Sequence, residues 1–110
     1  AAARRTGRPL ERVEAIALAD LLCSARRWDD AAALLSDVRR RFPDAPARVA
    51  LRRAEIALRH EGRPAAAAEL LESLRTADLD PADLRTHARL LADARRAATE
   101  NPLELDGAPL

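Results

Sequence analysis

The chain has 110 residues, with 19 basic and 18 acidic side chains and only two aromatic residues, Trp28 and Phe42. That length makes one small domain that buries roughly two-thirds of its unfolded surface, and the near-cancelled charge excludes a strong global field steering nucleic acid or a membrane to it. Apolar content rests on Ala and Leu, both strong helix formers, with few β-branched residues, so composition predicts an all-α fold in which Ala lets helices approach closely and Leu fills the seams.

Residues 1–9 carry three Arg, Gly7 and Pro9 without periodicity and read as a flexible arm. From Leu10 the positions Leu10, Val13, Ala17, Leu21 and Ala25 recur at steps of three and four. Leu18 and Leu22 broaden that stripe, which predicts a core-facing helix over about 10–26 with Arg26 and Arg27 in its last turn. A second helix begins near Asp29, read as its N-cap, and presents Ala31, Leu34, Leu35, Val38 and Phe42 until Pro43 stops it. The third, about 46–61, opens at Pro46 and ends at Gly62, which is free to take the left-handed conformation that closes a helix. A fourth runs from Pro64 to about Thr76 with Leu70, Leu71 and Leu74 as its large contacts. Asp80-Pro81-x-Asp83 then reads as an N-cap, an N1 proline and a capping acid for a fifth helix over about 81–99, with Leu84, Ala88, Leu91 and Ala92 inward. Asn101-Pro102 ends it, and 103–110 read as part of a loose tail over 101–110. Five helices on short connections must pack as antiparallel neighbours.

Within this pattern Ala15-x2-Leu18-Ala19-x2-Leu22, Ala31-x3-Leu35 and Pro43 resemble a tetratricopeptide repeat over 12–45, and Trp28-Asp29-Asp30-Ala31 resembles that family's entry into its second helix. A degraded copy over 48–81 carries Leu51, Ala54, Leu58, Gly62, Ala67, Leu71 and Leu74, although Glu55 stands where a small residue is usual and Pro64 replaces the aromatic. Ala88-x2-Leu91-Ala92 echoes the first helix again without a partner helix after it, and resembles the capping helix of a solenoid. The resemblance implies antiparallel helical hairpins stacked as a short right-handed superhelix over 10–100. It also implies a groove lined by the first helix of each repeat, where Ile16, Asp20, Cys23, Arg52, Arg53 and Ile56 are expected as exposed partner-binding positions. Without Lys, and with Asn101 as the sole Asn, the family's carboxylate clamp built from Lys and Asn has no counterpart here.

Catalytic chemistry has few carriers in this chain. His60, His87 and Cys23 lack metal-ligand spacing, the serines sit in helical stretches without a nucleophile elbow, and three Gly cannot build a phosphate loop. A non-enzymatic chain with no cofactor and no metal is expected. Arg39–Arg41 with Arg48, Arg52, Arg53 and Arg59 could form an anion-binding surface. However, Asp37, Asp44 and Glu55 lie among them, Glu55–Arg59 has pairing distance, and no aromatic platform accompanies them. The expectation is therefore a solvated face rather than a nucleic-acid site.

All 19 basic residues are Arg, which reads as the codon bias of a GC-rich bacterial genome. A lone Cys23 excludes an intrachain disulfide and fits a reducing, cytoplasmic setting. No apolar run approaches the roughly 18 residues of a membrane span, and AAARRTGRP leads into no apolar signal stretch. The start without Met reads as a processed chain or, in preference, a segment of a larger protein. The function expected is a protein–protein interaction scaffold that binds a peptide or partner domain through its groove. The alternative is a self-associating segment, a homodimer through an uncovered end face, or a regulatory segment attached to an enzyme or DNA-binding domain.

Overall fold

A computed structural model describes residues 11–100; the expected arm over 1–9, the stripe position Leu10 and the tail over 101–110 lie outside the described residues. Among those described there are five α-helices and no strand: α1 Arg12–Ser24, α2 Trp28–Arg41, α3 Ala47–Arg59, α4 Pro64–Ser73 and α5 Pro81–Glu100, with a 3-10 turn at Thr76–Asp78. The fold is all-α, as composition predicts. The chain divides between Ala45 and Pro46 into two compact units.

The first unit is an α1–α2 hairpin. Arg12, at the start of α1, reaches Asp44 beyond the end of α2 at 3.2 Å, so the two helices run antiparallel. α1 starts with the Glu11 backbone N–H donating to the Glu14 carboxylate at 3.1 Å, which satisfies one free donor at the helix start. It ends at Ser24, short of the predicted last turn. Arg26 takes φ 60°, and the N–H groups of Arg26 and Arg27 donate back to the carbonyls of Cys23 and Leu22 at 3.0 and 2.8 Å. This is a Schellman closure with Arg where Gly is usual. Nor is Asp29 the N-cap of α2: Arg27 holds that position, and its guanidinium pairs with Asp30 in the first turn.

Burial picks one of two possible stripes on α1. Ala15, Ile16, Ala19 and Cys23 are buried, whereas Val13 and Leu21 are 73% and 67% exposed and Ala17 and Ala25 also face solvent. The expected core stripe through Val13, Ala17, Leu21 and Ala25 is thus outward, and the repeat spacing through Ala15 and Ala19 points in. On α2 the expectation holds better: Ala31, Leu35 and Val38 are buried and Leu34 and Phe42 half-buried.

In the second unit α3 packs on α4, α4 on α5, and α3 more lightly on α5. Its core joins Leu51, Ala54, Ala57, Ala67, Leu70, Leu71, Leu90 and Ala94, with Leu79 holding down the connection between α4 and α5. Pro46 precedes α3 and Pro64 opens α4, where a missing N–H costs nothing. Gly62 closes the turn at φ 65°, and α4 ends at Ser73, three residues earlier than expected. The start of α5 is as predicted, with the Asp83 N–H donating to the Asp80 carboxylate at 2.8 Å. Its inward face is not. Leu90 and Ala94 are buried, while Leu84, Ala88 and Ala92 are exposed and Leu91 is half-covered. Of the α5 motif positions only Leu91 packs against the core, while Ala88 and Ala92 face solvent.

The two left-handed residues make a reciprocal test. A Cβ at Gly62 meets no heavy atom within 4 Å, so Gly62→Ala is strained by conformation alone. It should destabilise by about 1 kcal/mol, whereas Arg26→Gly should stabilise by roughly 0.5–1 kcal/mol. Urea midpoints moving in opposite directions are the expected reading.

Candidate functional site

The six groove positions divide between α1 and α3. Ile16, Asp20 and Cys23 occupy one side of α1, but Ile16 and Cys23 are buried and Asp20 is half-exposed. On α3, Ile56 is 1% exposed and Arg53 5%, and only Arg52 keeps moderate access. Four of the six are therefore covered rather than presented. Arg53 has a structural bond: its guanidinium donates to the Glu61 carboxylate at 2.8 Å, tying the middle of α3 to the turn before α4. Neutralising a buried charge in this way is the condition for placing it there at all. Replacing Arg52 and Arg53 together would thus remove a fold contact as well as a surface cation.

Several other arginines are paired with acids, though not always with the expected partner. Asp37 accepts from both Arg40 and Arg41, and the Arg41 guanidinium also lies 4.8 Å from the centre of the Phe42 ring, a cation–π distance. Arg59 does not pair with Glu55 four residues earlier. It crosses to Asp93 on α5, at 3.3 Å.

That crossing builds a cleft in the second unit. The C-terminal end of α3 and the C-terminal half of α5 border an open cleft of about 470 Å³ lined by Leu58, Arg59, Asp93, Arg96, Ala97 and Glu100. Like ends of α3 and α5 therefore lie together. Asp93 is its hub, accepting from Arg96 at 2.8 Å on one oxygen and from Arg59 on the other. The Arg96 hydrogen bond is the main cause of an Asp93 carboxyl held below its ordinary value; burial opposes it, and Arg59 lowers it further. Each guanidinium carries five donors and gives Asp93 only part of that capacity, while Leu58 and Ala97 add apolar wall. The cleft can therefore take a carboxylate beside an apolar side chain. Reading the Ala88-x2-Leu91-Ala92 echo onward along α5 places Asp93 and Arg96 one and four residues beyond it, a signal that sequence reasoning left unused.

A carboxyl whose folded pKa is depressed contributes stability above its unfolded value and loses it as pH falls through the folded value. Wild type and Asp93→Asn should consequently differ in Tm at neutral pH and converge as pH is lowered below the ordinary carboxylate range. The difference should be small, because Arg59 and Arg96 are well exposed. Thermal melts across that range check it.

The remaining reactive groups are held structurally. Cys23 is a buried free thiol, and His87 Nε2 donates to the Leu71 carbonyl at 2.8 Å, linking α5 to α4. Among the described residues no three His, Cys, Asp or Glu side chains converge as metal ligands, and no helix is long and apolar enough to cross a membrane.

No protein-family model matches this chain, and no curated protein or solved structure matches it.

Proposed function

We propose that this chain is a non-catalytic helical scaffold of tetratricopeptide-like hairpins that binds another polypeptide, with the α3–α5 cleft as its contact. The observation that carries the reading is the cleft itself, where Arg59 and Arg96 share one acid, Asp93, against the apolar wall of Leu58 and Ala97. A peptide with an acidic residue next to an apolar one fits it, since guanidinium forks take carboxylates bidentately. Burial of Ala15, Ala19, Ala31 and Leu35 in the first copy, and of Leu51, Ala54, Ala67 and Leu71 in the second, supports the hairpin resemblance. The pairing of Arg40, Arg41, Arg53 and Arg59 with acids favours a protein partner over nucleic acid, and a buried lone thiol fits a reducing, cytoplasmic setting.

Peptides selected against the full chain from a random display library test this reading. The selected peptides should be enriched in Asp or Glu beside Leu, Ile or Phe. Arg59→Ala with Arg96→Ala should weaken their binding by about tenfold or more, because a charge-assisted hydrogen bond is worth roughly 1.5–3 kcal/mol. Arg40→Ala, on the first unit, should leave it unchanged. Unaltered affinity in the double variant with retained helicity removes the cleft from the binding site.

A further inference from the structure

The α3–α5 cleft already holds a carboxylate. Asp93 accepts from Nη2 of Arg96 at 2.8 Å on one oxygen and from Nη2 of Arg59 at 3.3 Å on the other. Terminal guanidinium nitrogens are the ones that grip an incoming carboxylate. Asp93 thus stands where the two forks converge, as the acid of a bound peptide would. Glu100 adds a second carboxylate to the lining, so two guanidiniums face two acids and the cleft has no net charge to draw in an anion. Arg59 and Arg96 are well exposed, and ion pairs of that kind open readily in water. When they open, both forks become free at once.

We propose that Asp93 is a built-in competitor for this cleft, and that an acidic peptide engages both arginines only by displacing it. The proposal rests on the cleft being the peptide contact. Asp93 reaches Arg96 from three residues away on the same helix, so it is always at hand, whereas a free peptide must arrive from solution. Its carboxyl, lowered chiefly by Arg96, is ionised at neutral pH, and left in place it repels a second carboxylate beside it. Selectivity follows from the exchange. An acid by itself replaces one carboxylate with another and gains little. An acid beside an apolar side chain also buries that side chain against Leu58 and Ala97. Asp93 therefore sets a threshold that only the paired feature passes.

The test is titration of the full chain with a fluorescent copy of the tightest display-selected peptide, and with the same peptide carrying the amide in place of its acid. Asp93→Asn should tighten the acidic peptide by about threefold to tenfold, the range expected when two exposed pairs no longer compete. The amide peptide should bind wild type and variant alike. Circular dichroism checks helicity, and Asp93→Ala serves if Asp93→Asn loses it. Affinity should rise while Tm falls slightly, a combination that a purely structural carboxylate does not produce. If the Asp93 variant binds the acidic peptide no tighter, while Arg59→Ala with Arg96→Ala still weakens it, the competitor role is overturned and the cleft stands as the contact. Equal tightening of the amide peptide overturns it as well. Binding indifferent to the double arginine variant removes the cleft reading, and this inference with it.

Discussion

Replacing Leu71 with Ala should cost about 2–5 kcal/mol, a large part of the stability of a small domain. Leu71 is 1% exposed and sits with Leu51, Leu70 and Leu90 in the cluster where α3, α4 and α5 meet, so its removal leaves a cavity that the helices cannot fully close. Its carbonyl also accepts from His87, which fixes the backbone around the gap and limits collapse. Leu84→Ala is the matched control: the same atoms are removed from a residue 41% exposed, and the cost should stay below about 0.5 kcal/mol. Urea unfolding of both variants measures the contrast. Equal midpoints would mean that α4 does not pack on α5 through Leu71.

Ala31→Leu should destabilise the first unit by about 1–3 kcal/mol through overpacking. Ala31 has no exposed surface and lies in the first turns of α2, beside the short connection that brings α1 back against it. Interiors are packed to crystal density, so three added carbons must displace a helix or force a poor rotamer. Ala33→Leu, two residues on and exposed, should be nearly neutral. Trp28, the single tryptophan, reports from the same helix three residues away, so its fluorescence midpoint follows this hairpin directly. An Ala31→Leu variant as stable as wild type would falsify the close approach of α1 and α2 at this point.

Much of the architecture was legible because local rules and burial agree. Asp80 and Pro81 start α5 by satisfying its free donors and presetting φ, and that chemistry acts within four residues whatever packs above it. Pro43, Pro46, Gly62 and Pro64 punctuate the chain for similar reasons. The spacing of Ala15, Ala19, Ala31 and Leu35 was equally readable, because two helices in a tight hairpin need small residues where their backbones approach. The cleft was less so. Arg59 was expected to pair with Glu55 on its own helix, yet Asp93, 34 residues away, takes it. Pairing across helices depends on which ends of α3 and α5 come together, and no spacing within either helix encodes that.

The sequence by itself determined the class, the five helices and most of their ends, since propensity, capping and proline act locally. Which way each helix turns was left to the tertiary structure. Arg12–Ser24 is apolar on two sides, so Val13-Ala17-Leu21 and Ala15-Ala19-Cys23 both satisfy a helical period, and only packing between α1 and α2 selects the second. The same choice on α5 buries Leu90 and Ala94 and leaves Leu84, Ala88 and Ala92 outside. Of two adjacent arginines, only rotation of α3 and the reach of Glu61 decided that Arg53 goes in and Arg52 stays at the surface. A helix with two apolar stripes needs a neighbour to choose between them, and that neighbour is known only when the helices have met.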